Sequence, residues 1–346
     1  MKLSTLVLGA LSTIGCAPAL VLGAPKLRND ASTWMISRSS PEQESARVLV
    51  GKNDVSQKSI DLSKTFKEYA FEAVLYEKNG PYTFAFDAVN RRLFFHVPNT
   101  SAGMDYNCIV CINLDDQSEY QKYMKLYNFG PASVSFAVEP VGTQSRLWFD
   151  INPDENGRAQ NLAAFMWEAD GAMHNPSTDF IKVAPIEGAT DYSSTYDPAT
   201  ESLVIRYRLG SGYYMAAYKA DRAANNDFSD PLYNFHIPVI STKSNTIRGY
   251  AALGQNLYIL RGDAVDGTFP DTNSEIININ TETRKISQGP TSAKLKGTSA
   301  QLYNTMPQGL GVYYQADNEY QLMIGVAGGT GNARSAHLLS NGEYIS

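Results

Sequence analysis

Five times between residues 84 and 328 the chain repeats one pattern: an apolar strand, a tight polar turn and a second apolar strand. The units are "FAFDAVNRRLFFHV" from Phe84, "FAVEPVGTQSRLWFDI" from Phe136, "STYDPATESLVIRYR" from Ser194, "GYAALGQNLYILRG" from Gly249 and "PQGLGVYYQADNEYQLMIGVAG" from Pro307. Successive starts lie 52, 58, 55 and 58 residues apart, and Phe94, Trp148, Val204, Tyr258 and Met323 fall in the second strands. The stretches between units hold further apolar runs, "NCIVCINLD", "NLAAFMWEADG", "YYMAAYKAD" and "SEIININTETRK", with room for two more strands each. A four-stranded unit recurring every ~40–60 residues is the signature of a β-propeller, whose radial repetition leaves few long exposed edges. The expected fold is therefore all-β, a propeller of four-stranded blades with five visible repeats and five or six blades in all. The N-terminal stretch "RVLVG…EAVLY" either completes the ring or adds the sixth blade. A pair of β-sandwiches is the alternative, but it does not require so regular a spacing. Within "LSKTFKEYAFEAVLY" the apolar spacing fits a helix best, with a strand at its end as the other reading.

The chain has 346 residues, long enough to bury a large core without staples. It opens "MKLSTLVLGALSTIGCAPALVLGA": a lysine, an apolar segment, then small residues at Ala17, Ala19 and Ala24. That is the grammar of a secretory signal peptide over residues 1–24, cut between 19 and 24. Residues 25–45 read as an irregular leader and 46–346 as a single propeller domain, secreted and extracellular, working as a monomer. No later segment has about 20 consecutive apolar residues, so no membrane span is expected. Removal of Lys2 takes the net charge from −6 to −7, and no basic block remains to track a phosphate backbone, which argues against nucleic acid as a partner. Asn99-Thr100-Ser101 is a glycosylation sequon at Asn99.

Cleavage also removes Cys16 and leaves Cys108 and Cys111, in "YNCIVCINL". The flanks are strand-like. In a strand, positions three apart face opposite sides with Cα atoms roughly 10 Å apart, beyond disulfide reach. Two packed thiols are expected, a disulfide across a local bulge being the other reading. No second C-x-x-C completes a zinc site, no Walker or dinucleotide fingerprint stands between a strand and a helix, and "DINPDENG" lacks the ligand spacing of a calcium loop. No cofactor and no metal are expected. No G-x-S-x-G is present for a hydrolase nucleophile.

The repeats resemble the propeller family labelled teichoic-acid-biosynthesis-protein-C-like, which includes phage receptor-binding propellers, and related secreted rhamnosyl-glucuronate lyases. The resemblance is carried by "YTFAFDAVNRRLFF", "VSFAVEPVGTQSRLWFDINPDENGRAQNLAAFMW", "YDPATESLVIRYR", "RGYAALGQNLYILRG" and "PQGLGVYY", over most of residues 80–330. It implies a secreted propeller that binds or cleaves a glycan or cell-wall polysaccharide. Arg206-Tyr207-Arg208 match the family's Arg-Tyr-Arg. Where relatives carry Gly-His-Gly ahead of this blade, the present chain has Gly130-Pro131-Ala132; it also has Thr83 in place of an amide and Arg248 ahead of Gly249-Tyr250.

Cleavage at a uronate by β-elimination requires a group that neutralises the carboxylate, a base for the C5 proton and an acid for the leaving oxygen. Arg206 and Arg208 share one face of a strand and Tyr207 takes the other, so two guanidinium groups can meet a sugar carboxylate. With Arg248 they form the expected substrate-binding set, and Tyr250 and Trp148 are candidate sugar contacts. His96, at the end of a second strand, and Tyr207 are the candidate catalytic groups. The alternative function is a lectin-like propeller without catalysis, or another secreted interaction protein.

Overall fold

The second strands of the repeats are buried on both faces, as along Arg92–Pro98 and Ser202–Leu209. A sheet with one solvated face alternates; a sheet stacked between two others does not. The structure, a computed structural model, describes residues 58–73, 81–98, 106–115, 122–130, 133–239, 246–263, 274–296, 306–314, 319–328 and 335–345. The signal peptide and leader, the Asn99 sequon, and Pro131 and Ala132 lie outside them.

First in the chain is β1 (Thr65–Ala73). Blade one is β2 (Thr83–Asp87), β3 (Arg92–Pro98), β4 (Tyr106–Asn113) and β5 (Lys122–Tyr127). Blade two is β6 (Ala137–Val141), β7 (Gln144–Pro153) and β8 (Ala159–Met166); the short β9 (Ala172–His174) crosses to pair with β5, and β10 (Ile181–Val183) returns to edge β8. Blade three is β11 (Thr190–Asp197), β12 (Ser202–Leu209), β13 (Gly212–Lys219) and β14 (Tyr233–His236), with a short helix, Ala220–Ala224, after β13. Blade four is β15 (Ile247–Leu253), β16 (Asn256–Arg261), β17 (Glu275–Asn280) and β18 (Lys285–Ser292). After β19 (Lys294–Lys296), blade five is β20 (Met306–Tyr314), β21 (Tyr320–Gly328) and β22 (Ser335–Asn341).

Blade five takes its fourth strand from the other end of the chain. The sheet order is β20-β21-β22-β1-β19, with β1 antiparallel to β22 and parallel to β19. The N-terminal stretch thus completes the ring and adds no sixth blade. It is also a strand where local spacing left helix and strand open: helix propensity is a weak local preference, and the open edge of β22, some 270 residues away, overrides it. Ile60, Leu62 and Phe66 lock the join by burying completely among Tyr258, Leu260, Leu322 and Ile324.

Five hydrophobic clusters fill the five seams, each drawing on two adjacent blades. Alternation in one strand divides between two seams: Leu93 and Phe95 face blade five while Phe94 faces blade two. Cys108 and Cys111 obey the same rule. Neither is in a disulfide; both are buried, in different seams, and burial pushes the Cys111 thiol up to about 12.

The innermost strands β2, β6, β11, β15 and β20 touch one another in a closed circuit. All five start at the same mouth of the ring. Ser135 donates to the carbonyl of Tyr250 and the Tyr250 hydroxyl to Ser193, while Gly249 lies against Gly309 and Leu310, and Gly309 against Thr83. At Gly249 a Cβ would stand 2.5 Å from the Leu310 nitrogen, so only glycine lets β15 and β20 come this close.

Candidate functional site

At that mouth a cleft of about 290 Å³ opens between the starts of β6, β11 and β15. Ser133 and Val134 line it from the segment before β6, Asp150 from β7, Asp191 and Ser193 from β11, Arg206 from β12, Tyr213 from β13 and Ile247 from β15.

Arg206 is the centre of the arrangement. Its side chain is 7 % exposed, its Nη2 is 3.2 Å from Asp191 Oδ2, and its guanidinium carbon lies 4.2 Å from the centre of the Tyr213 ring. Cation–π contact and the ion pair hold the fork in one plane. Arg206 Nε has no hydrogen-bond partner, which leaves donor capacity on a positioned guanidinium. Arg208, two residues on, flanks the same tyrosine, being the register partner of Tyr213, and its buried Nε is likewise without a partner. The shared face of Arg206 and Arg208 is thus as strand alternation requires. Arg261 of the next blade stands close enough that Arg206 adds to burial in pulling it below its ordinary range.

Asp191 reaches Arg206 through an irregularity. The β11–β12 register shifts between Thr190 and Ser193, and Asp191 has φ +57°. Bulges redirect side chains at the rims of sheets, and the left-handed backbone here turns the carboxylate toward the guanidinium. β15 and β20 carry register shifts at the same end, next to Gly249 and Leu310.

Asp150 is the other carboxyl of the cleft. It is 9 % exposed and its Oδ1 has no hydrogen-bond partner. Burial pushes it up to about 7; Ser133 and Arg206 oppose the rise and the charge of Asp191 adds to it. A carboxyl in this range gives up and regains a proton near neutrality.

The other sequence candidates stand elsewhere. His96 is fully buried in the seam between blades one and two, edge-on to Phe149 at 4.8 Å, with no hydrogen-bond partner on either ring nitrogen. Burial pulls it down to about 4 against the influence of Asn107, so it is a neutral ring packed among rings. Tyr207 points to the opposite face from Arg206. It stacks on Tyr214 with 13° between the planes and donates to Asn234 at 2.8 Å. Trp148 is wholly buried and donates to Glu139 at 2.9 Å, leaving no face for a sugar. Tyr250 lies beneath the cleft, fully buried, bracing Ser193 at 3.1 Å. Arg248 is tied to its own blade: its Nε donates to the Gly262 carbonyl at 2.8 Å and its Nη2 is 3.9 Å from Asp263. Of the substrate-binding set, Arg206 lines the cleft and Arg208 flanks it through Tyr213. Asp150, Asp191, Ser133, Ser193 and Tyr213 are cleft residues that no motif marked. Gly130, first residue of the stretch that stands in place of Gly-His-Gly, has φ +100°, and a Cβ there would come within 2.9 Å of Pro153.

No protein-family model matches the chain, and no curated protein matches it. Solved structures do. The tail fiber of Staphylococcus aureus phage P68 superposes with a TM-score of 0.59 at 12 % identity over 85 % of this chain and 56 % of the fiber, so the chain spans little more than half the fiber's length. The GH43 protein BlXynB of Bacillus licheniformis gives a TM-score of 0.44 at 11 % identity, covering 82 % of this chain and 54 % of that one. The GH43_1 enzyme of Xanthomonas citri complexed with xylose gives 0.40 at 10 %, covering 87 % and 96 %. At these identities the likeness is one of fold, and the fiber is the solved structure among these three whose superposition supports it: this chain is a five-bladed β-propeller.

Proposed function

We propose that this chain is a secreted, glycan-directed propeller that receives a uronate-containing polysaccharide in the Arg206 cleft and cleaves it by β-elimination. The observation that carries the reading is the positioned guanidinium. Arg206, fixed by Tyr213 and Asp191, is a preformed partner for a carboxylate, and bidentate pairing there withdraws charge from the sugar acid so that its C5 proton becomes removable. Arg208 and Arg261 add positive charge around it.

The test is incubation with rhamnosylated glucuronate polysaccharide, read by the ultraviolet band of the unsaturated uronate that elimination creates. Arg206→Lys keeps the charge and loses the fork, so it is expected to bind the polysaccharide at least about tenfold more weakly. Unchanged affinity in that variant would remove Arg206 from the reading.

A second reading is binding without cleavage, a lectin-like ring. The burial of His96 away from the cleft favours it, because no described histidine lines the site. Saturable binding with no unsaturated product over long incubation would decide for it.

A further inference from the structure

We propose that Asp150 is the proton-transfer residue of this cleft, taking the C5 proton of a bound uronate and returning it to the departing glycosidic oxygen. The proposal rests on the lyase reading of the same site and replaces both His96 and Tyr207 in it.

Three observations converge on Asp150. It lines the cleft, and its buried Oδ1 has no partner in the protein, an unmet acceptor in the cleft wall. Asp191, the other cleft carboxylate, is engaged by Arg206 and by the Tyr213 hydroxyl and so serves to position them. The charged and titratable groups that bear on Asp150 are Asp191 of β11, Arg206 of β12 and Tyr250 of β15, with the Ser133 hydroxyl ahead of β6. The cation among these is the group expected to hold the sugar carboxylate, so proton acceptor and carboxylate anchor line one cleft. Its tendency to titrate near neutrality suits a group that must both accept and release a proton.

The step balances without a co-reactant. The Asp150 carboxylate takes the proton from C5, and the C–H electron pair becomes the C4–C5 double bond. The C4–O bond breaks with its pair on oxygen, and that oxygen receives the proton back from Asp150. Nothing is oxidised or reduced and no water is consumed.

The experiment compares wild type, Asp150→Asn and Asp150→Glu in the full chain on rhamnosylated glucuronate polysaccharide, measuring product formation and, separately, polysaccharide affinity. Asp150→Asn is expected to lower kcat at least about 100-fold while Kd stays within about threefold, and Asp150→Glu to recover part of the turnover. Wild-type kcat/KM is expected to rise with pH through about 7, the limb of a base that must be ionised, and Asp150→Glu to move that limb. Turnover in Asp150→Asn within threefold of wild type overturns the proposal, as does a profile that falls through that pH. Should Asp150→Asn fail to fold, an Asp150→Glu profile superposable on wild type overturns it instead. A wild type that cleaves while its Asp150 variants cleave equally well sinks this assignment alone. A wild type that neither binds nor cleaves sinks the reading beneath it as well.

Discussion

At the scale of single residues, one position in the repeat holds His96, Asp150 and Arg206. His96 pairs with Thr83 and Arg206 with Ser193, and continuing the β6–β7 ladder two residues past Ala137–Trp148 sets Ser135 level with Asp150. The repeat therefore places an imidazole, a carboxyl and a guanidinium at equivalent points of three blades. In blade one the neighbours are aromatic and the residue becomes core; in blades two and three the mouth opens and the residues line a cleft. Arg206 was legible in the sequence because "VIRYR" alternates in a strand. Asp191 was not, since its direction depends on a bulge that no spacing encodes. The two titrating members of the set have opposite effects on stability. His96, lowered to about 4, is charged in the unfolded chain and neutral in the fold, so its contribution is present above about 6.5 and lost as pH falls toward 4. Asp150, raised to about 7, keeps in the fold a proton the unfolded chain releases above about 4, so stability falls as pH rises from about 4 to 7. Between about 4 and 6.5 these two slopes oppose each other, and Asp197 and Glu139, also raised by burial, add to the side of Asp150. Relative to wild type, Asp150→Asn should gain, and His96→Phe lose, up to about 3 kcal/mol on raising pH across that window, in denaturant unfolding at stepped pH.

At the scale of elements, two hairpins are clamped by an aspartate at the end of their inner strand. Asp87 accepts from the backbone and side chain of Asn90, and from Ser145 of the next blade. Asp197 accepts from the Ala199 nitrogen and the Thr200 hydroxyl, and from the Gly254 nitrogen of the next blade. Each clamp fixes its own turn and joins it to a neighbouring one, at the end of the ring away from the cleft. Asp197→Ala leaves the buried Gly254 N–H unpaired, and a cost of about 2–4 kcal/mol in thermal or denaturant unfolding is expected, with the proposed polysaccharide binding little changed. Gly249→Ala should be at least as damaging, since its Cβ would drive β15 and β20 apart; it should also weaken ligand binding, because that strain is released at the mouth. Most elements were legible: the "NINTETRK" hairpin, the helical turn after "YYMAAYK" and the polar turn in "DINPDENG" all form where local spacing places them. β1 was half legible: local spacing left helix and strand open, and closing the ring was one of two readings for the N-terminal stretch, because its partner is remote.

At the scale of the molecule, the ring is held by five apolar seams and one join. The join is the more vulnerable, since four blades draw their core strands from one continuous stretch while the fifth needs β1 from far upstream. Phe66→Ala removes a fully buried ring there and should lower stability by about 3–4 kcal/mol, with hydrogen exchange rising first along β1 and β22. A uniform rise in exchange around the ring would show instead that the join opens only with global unfolding. Tyr258→Phe, which removes the hydroxyl that accepts from the Ile60 nitrogen at 2.8 Å, should cost about 1–2 kcal/mol at the same place.

The pairing of β1 with β22 also sets a timetable for biosynthesis. β1 emerges from the ribosome early, and its antiparallel partner only after β21 has been made, so for most of translation an unpaired strand edge and the apolar side chains of Ile60, Leu62 and Phe66 have nothing to cover them. Blades one to four can form as each leaves the tunnel, but the circle shuts at the last step. A nascent chain stalled before β22 should be captured by holdase chaperones and cut by proteases within residues 58–73, and one stalled after it should resist both.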